Sequence, residues 1–192
     1  MGYSVSPDGQ RLFSALYDPD QIGVFDINPL TGALSAISGS PFATGLTGNP
    51  VDSVLDAMGT RLFVVARNAT SNIGVYDLVA SGVPTPVADS PFQSGGITAE
   101  VVVVDKAAHF LFVANAESHN VSAFQINPQT GALTAVPDSP FATNALDGFI
   151  GGMALYEQPA PVPATMRGGL TVFALLLVGS MFVVLRRKSR LA

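Results

Sequence analysis

The chain has no cysteine. Disulfides, thiolate metal sites and cysteine nucleophiles are therefore excluded. Charge is scarce as well. Asp, Glu, Lys and Arg make up 12% of the 192 residues, where about 25% is usual for a globular protein. Basic residues are the rarest of these in the body of the chain. All fourteen acidic residues lie between Asp8 and Glu157, opposed there only by Arg11, Arg61, Arg67 and Lys106, which leaves residues 1–158 at −10. A surface of that sign repels phosphate backbones, so nucleic acid is excluded as a partner. The last thing missing is helical periodicity, which no extended window of residues 1–158 displays.

What is present is a repeat. Ser-Pro-Phe occurs at Ser40-Pro41-Phe42, Ser90-Pro91-Phe92 and Ser139-Pro140-Phe141, with the phenylalanines 50 and 49 residues apart. Other motifs keep step with it. Arg11-Leu12-Phe13, Arg61-Leu62-Phe63 and Phe110-Leu111-Phe112 open apolar runs. Asn28-Pro29-Leu30-Thr31-Gly32 and Asn127-Pro128-Gln129-Thr130-Gly131 are tight turns, in which Pro presets φ and Gly supplies a positive φ. The second copy carries Ser81-Gly82-Val83-Pro84 instead.

Each copy reads as four short strands. The first strands are 12–16, 62–66 and 111–115, nearly continuous apolar runs of the kind covered on both faces. The second are 23–27, 74–78 and 121–126. The third is short, 34–37 or 133–136. The fourth are 50–55, 100–105 and 151–156. Short strands, regular turns and a period near 50 predict an all-β fold, a partial β-propeller of three four-stranded blades at about 1–56, 57–105 and 106–157. In that setting Phe42, Phe92 and Phe141 pack between adjacent blades. Closed propellers have about four to eight blades, so three leave open faces.

Beyond the repeats the chain changes character. Residues 158–167 form a Pro-rich linker, stiff and extended. Residues 168–185 carry no charge. As a helix they would span about 27 Å, close to the hydrocarbon thickness of a bilayer, and one C-terminal transmembrane helix is the expectation. The basic tail, 186–192, holds Arg186, Arg187, Lys188 and Arg190 as a membrane stop. Basic flanks stay cytoplasmic, which places the β body in the periplasm or outside the cell. That topology needs an export signal. Residues 1–20 have neither a basic n-region nor an apolar h-region, so the chain reads as part of a longer protein, with a tail-anchored protein as the alternative.

The repeats resemble those of the lactonase-type seven-bladed β-propellers, also called 6-phosphogluconolactonase-like and akin to YVTN-repeat surface proteins. The residues that carry this are Leu111-Phe112-Val113-Ala114-Asn115, Asn127-Pro128-x-Thr130-Gly131-Ala132-Leu133 and Asp138-Ser139-Pro140-Phe141. The tail resembles bacterial PEP-CTERM and IPTL-CTERM sorting signals, with Val162, Pro163, Ala164 and Thr165 in the place of the short Pro motif. That resemblance implies an exosortase-type processing enzyme as a partner.

Candidate chemistry is sparse. Arg67 and Glu117 follow the first strands of copies two and three, and His119 shares the loop with Glu117. Propeller active sites collect such loops. The resemblance implies Glu117 or His119 as general base on water and Arg67 as the group holding an oxyanion or phosphate. His109, in a turn, reads as a surface residue. Asp8, Asp56 and Asp105 recur at turns and read as caps rather than metal ligands. No cofactor motif and no metal-ligand spacing is present. The preferred expectation is a surface-anchored β-propeller binding module for an unknown surface ligand. The alternatives are a lactonase-like hydrolase of sugar lactones and a fragment of a larger propeller.

Overall fold

The computed structural model describes residues 2–70, 72–143 and 152–155, together with the backbone of 175–178 and 181–184. Three antiparallel sheets follow one another along the chain. The first holds β1 (Tyr3–Val5), β2 (Arg11–Leu16), β3 (Gln21–Ile27), β4 (Leu34–Ala36) and β5 (Phe42–Ala43). The second holds β6 (Asn49–Leu55), β7 (Arg61–Arg67), β8 (Asn72–Leu78), β9 (Pro84–Pro86) and β10 (Phe92–Gln93). The third holds β11 (Ala99–Val104), β12 (Phe110–Asn115), β13 (Asn120–Ile126), β14 (Leu133–Ala135) and β15 (Phe141–Ala142).

In each sheet the first four strands run as a meander, and the two-residue fifth returns to the third. Leu34 pairs with Ile27 while Phe42 pairs with Ile22. Thus β4 and β5 are two halves of one outer strand, and each sheet is four-stranded with a split edge. The all-β, three-bladed reading therefore agrees with the described residues. The phase differs from the sequence expectation. Segments 50–55 and 100–105 do not close their own copies. They coincide with β6 and β11, which pair with β7 and β12 of the next copy. A repeat in sequence sets the period and leaves the cutting point open.

Ser-Pro-Phe marks the split. A turn precedes it, closed by the N–H of Ser40 to Ile37 C=O at 3.1 Å, Ser90 to Val87 at 3.2 Å and Ser139 to Val136 at 3.1 Å. The residue before each serine has a positive φ: Gly39 at 85°, Asp89 at 64° and Asp138 at 64°. The Ser-Pro peptide is cis in all three copies. Where the outer strand breaks, an N–H of the third strand loses its ladder partner. The serine hydroxyl accepts it: Val24 N–H to Ser40 Oγ at 2.9 Å, Val75 N–H to Ser90 Oγ at 3.0 Å and Ala123 N–H to Ser139 Oγ at 3.0 Å. The tripeptide thus completes the hydrogen-bond accounting of the sheet.

The sheets lie face to face. They approach most closely at their first strands, where β6 contacts β1 and β2, and β11 contacts β6 and β7. One core fills the space between the first two sheets, with Phe13, Ala15, Ile22 and Val24 meeting Leu62, Val64, Ala66 and Tyr76. A second joins Phe63, Val65, Ile73 and Val75 to Val102, Leu111, Val113, Phe124 and Ile126. The first strands give Val51, Leu55, Ala99 and Val102 to these cores, and the rings Phe13, Phe63, Tyr76 and Phe124 come from the second and third strands. Phe42 packs on the first core and Phe92 on the second, whereas Phe141 belongs to neither core and is 45% exposed.

The turn carboxylates behave as caps. Asp56 Oδ1 accepts the N–H groups of Thr60 at 2.7 Å and Arg61 at 3.1 Å, and Asp105 Oδ1 accepts those of His109 and Phe110, both at 2.7 Å. Asp8 does the same for Gln10 at 3.0 Å.

Of the expected helix over 168–185, only β16 (Leu175–Val178) and β17 (Met181–Val184) are described, and they pair as antiparallel strands. A Val- and Leu-rich run fits strand or helix equally by pattern. Among the described residues no helix is long and apolar enough to cross a membrane. The linker over 158–167, the sorting motif of Val162, Pro163, Ala164 and Thr165, and the basic stop of Arg186, Arg187, Lys188 and Arg190 lie outside the described residues.

The packing makes a graded prediction for chemical denaturation. Phe92→Ala should cost about 2–3 kcal/mol, since it opens a cavity between sheets. Phe141→Ala should cost under about 1 kcal/mol. Ser90→Ala, which strands the Val75 N–H, should cost about 1–2 kcal/mol. Equal costs for the two phenylalanines would contradict this assignment of faces.

Candidate functional site

The inner strands β6 and β11 each carry a β-bulge near their start. The register shifts between Pro50 and Asp52, and again between Ala99 and Val101. A bulge re-aims the side chains beside it. In β11 the residue left out of the pairing is Glu100; in β6 it is Val51, and Asp52 follows it, paired with Val65.

Glu100 meets Arg67, which ends β7. The Arg67 Nε donates to Glu100 Oε2 at 2.8 Å, and Nη2 donates to Oε1. This is the bidentate arrangement in which a guanidinium fork matches a carboxylate. The Glu100 side chain is 13% exposed and that of Arg67 37%.

Asp52 is half-buried against the next inner strand. Its Oδ2 accepts the Val102 N–H at 3.0 Å, tying β6 to β11. On the other side it meets the start of the first sheet. A Cβ on Gly2 would fall 1.9 Å from Asp52 Oδ1 and 2.5 Å from its Cα, so only glycine fits there. Burial pushes the Asp52 carboxyl above its ordinary value, with the Val102 and Ser53 N–H groups opposing and the Glu100 charge adding to the rise. Ser4 Oγ donates to Ser53 C=O at 2.7 Å, which joins β1 to β6 in the same region.

The three residues expected to carry chemistry sit at this end of the sheets, Arg67 as the last residue of β7 and Glu117 and His119 on the loop after β12. Among the described residues no hydrogen bond joins any two of them. Arg67 is committed to Glu100. Glu117 is exposed and accepts from Thr98 Oγ1 at 2.9 Å. His119 is exposed and has φ of 49°. Its carbonyl accepts from Thr143 N–H at 3.0 Å and Thr143 Oγ1 at 2.9 Å. Asp20 in the first sheet repeats this arrangement, with φ of 62° and its carbonyl bonded by Thr44. His119 thus occupies a recurring turn position. Among the described residues no group of three or more His, Cys, Asp or Glu side chains is placed to hold a metal.

Asp52 and Glu100 were not singled out from the sequence. Their signal was a carboxylate interrupting an apolar strand. The bulges that bring them to the rim leave no mark in composition.

Residues 54–146 match the family model of the lactonase, 7-bladed beta-propeller type. The repeats are lactonase-like over that stretch. No curated protein matches the chain. Solved structures do. A protein from Lactobacillus plantarum aligns with a TM-score of 0.65 at 21% identity, covering 73% of this chain and 40% of its own. A candidate 6-phosphogluconolactonase from Bacteroides fragilis gives a TM-score of 0.62 at 19% identity, covering 71% of this chain and 38% of its own. A periplasmic gluconolactonase from Pseudomonas aeruginosa gives 0.60 at 22% identity, covering 71% and 39%. These likenesses are of fold. The chain spans about two fifths of the length of the solved structures it matches.

A raised carboxyl makes stability depend on pH. Above the ordinary Asp value of 3.8, up to the raised one, folded Asp52 holds a proton that the unfolded chain has released. Stability therefore falls as pH rises through that window and stays lower above it. Asp52→Asn, which keeps an acceptor for Val102, should flatten that part of a Tm–pH curve and raise Tm at pH 7 by about 2 °C. A lower Tm for the variant at pH 7 would contradict the burial assigned to Asp52.

Proposed function

We propose that this chain forms part of a propeller that hydrolyses a sugar lactone. The match of residues 54–146 to the lactonase family carries this reading, and it is preferred to the surface binding module. The reading of the chain as a fragment of a larger propeller is compatible with it. The geometry supplies groups of the right kinds. Asp52 as carboxylate takes a proton from water as the oxygen adds to the lactone carbonyl carbon. When the tetrahedral intermediate collapses, the ring C–O bond breaks and the protonated Asp52 returns its proton to the departing alkoxide. Arg67 donates two of its five N–H groups to Glu100 and keeps three for the developing oxyanion. Glu117 and His119, solvated and on turn positions, are secondary candidates for the base.

The charge of the body bears on the substrate. Residues 1–158 carry −10, and Arg67 is already neutralised by Glu100. An uncharged aldonolactone suits such a surface better than a phosphorylated one. Envelope location with a single C-terminal membrane span and exosortase-type processing remains part of the proposal. It is compatible with a lactonase, since one structural neighbour is a periplasmic gluconolactonase.

The test is hydrolysis of glucono-1,5-lactone by the purified full chain, followed by pH-stat against the spontaneous rate. Turnover is expected, with kcat lowered about 10²–10⁴-fold by Asp52→Asn. Turnover that survives Asp52→Asn but not Glu117→Ala moves the base to the β12–β13 loop. An absence of turnover on both the neutral and the 6-phosphorylated lactone rejects the reading and returns the binding module.

A further inference from the structure

Arg67 stands apart from the other cations of the β body. Arg11 opens β2 and Arg61 opens β7, so both lie at the opposite end of their sheets, paired with Asp26 and Asp77. Lys106 lies in the turn between β11 and β12, at that same opposite end. Among the described residues Arg67 is therefore the one Lys or Arg at the end that holds the candidate site. The carboxylates of Glu100, Asp52 and Glu117 share that end with it.

Its pair with Glu100 is also singular within the repeat. The strand registers set Arg67, five residues after Leu62, level with Tyr17 in the first sheet and Ala116 in the third. They set Glu100, the residue left out of the β11 pairing, level with Val51 in β6. None of these three counterparts is a charged residue type. Val51 belongs to the second core, and the first two sheets close on a full core without any ion pair at this level. The salt bridge is thus no requirement for packing two sheets of this repeat. A partly desolvated pair of this kind also returns little net stability.

Its effect on a ligand is larger. Glu100 takes the Nε–Nη2 edge of the guanidinium, with Nε 2.8 Å from Oε2. That planar fork is the feature by which arginine recognises carboxylate and phosphate. An incoming phosphate finds this edge occupied. Beside it stands the Glu100 charge, 13% exposed and so poorly screened by solvent. A lactone carbonyl oxygen carries no net charge and meets the remaining N–H groups without that repulsion.

We propose that Glu100 is the specificity-determining residue of this rim. It keeps the fork of Arg67 from phosphate and carboxylate groups and so restricts the site to uncharged lactones. Without Glu100, Arg67 is an anion site. The lactone part of the inference rests on the function proposed above; the exclusion of anions stands on the ion pair alone.

The test uses the full chain, with inorganic phosphate as the probe of Arg67 and glucono-1,5-lactone and its 6-phosphate as paired substrates. Glu100→Gln keeps the shape and one acceptor for Arg67 while removing the charge. Glu100→Val installs the residue of the β6 bulge and serves where the amide disturbs the fold. Either variant should raise kcat/KM for the phosphorylated lactone relative to the neutral one by about tenfold or more, through KM. In phosphorus NMR line broadening, phosphate should bind either variant and not the parent chain, and adding Arg67→Ala should abolish the binding. Glu117→Gln removes a neighbouring charge but leaves the fork occupied, so it should create no phosphate binding. A parent chain that binds phosphate through Arg67, Glu100 variants that do not bind it, or a gain matched by Glu117→Gln would each overturn the proposal. If no form turns over either lactone, the function proposed above fails, and phosphate binding decides the role of Glu100 by itself.

Discussion

A four-stranded sheet of this sequence is apolar on both faces, and water leaves those faces only when another sheet covers them. That constraint organises the molecule. The middle sheet is covered twice, and its β7 is buried from Leu62 to Ala66. Among the described residues the outer two sheets are each covered once. The same residues therefore have opposite fates according to position. Phe92 packs against the second core, whereas its repeat mate Phe141 is 45% exposed. No property of the tripeptide itself distinguishes them.

Much of this was legible in the sequence. The interval between Ser-Pro-Phe copies predicted blades, and packing between sheets holds for Phe42 and Phe92 but not for Phe141, which is 45% exposed. The turn at Asp56 was legible because a carboxylate four and five residues before the N–H groups of Thr60 and Arg61 has little else to do. The role of Ser40, Ser90 and Ser139 was not legible. Each accepts an N–H some fifteen residues back, and only the folded sheet brings the two together. The candidate site suffered most. Arg67 was picked out as a lone cation in a loop, but its partner Glu100 lies 33 residues on, in another sheet. Asp52 looked like one polar residue in a strand, and its desolvation arises from Gly2 and β11, neither of which is near it in sequence.

Arg67, Glu100 and Asp52 also show how a rim can hold chemistry on a scaffold of apolar strands. Each inner strand would be ruined as a packing element by a carboxylate in register. In β11 a single-residue bulge resolves the conflict by letting the strand keep its core residues while Glu100 turns aside. The half-buried carboxyl at Asp52 costs stability, and such residues are the ones a protein keeps for reasons other than folding.

The gradient of side-chain size across the two cores has a geometric meaning of its own. Val51, Leu55, Ala99 and Val102 on the first strands, against Phe63, Tyr76 and Phe124 on the second and third, give the space between successive sheets the volumes of a wedge. The angle of that wedge is set by residue volume, because a packed core neither collapses nor stretches by much. Curvature is thus written into the chain as a difference between small and large side chains. How many such wedges complete a turn is a matter of their angle, a quantity each interface carries by itself.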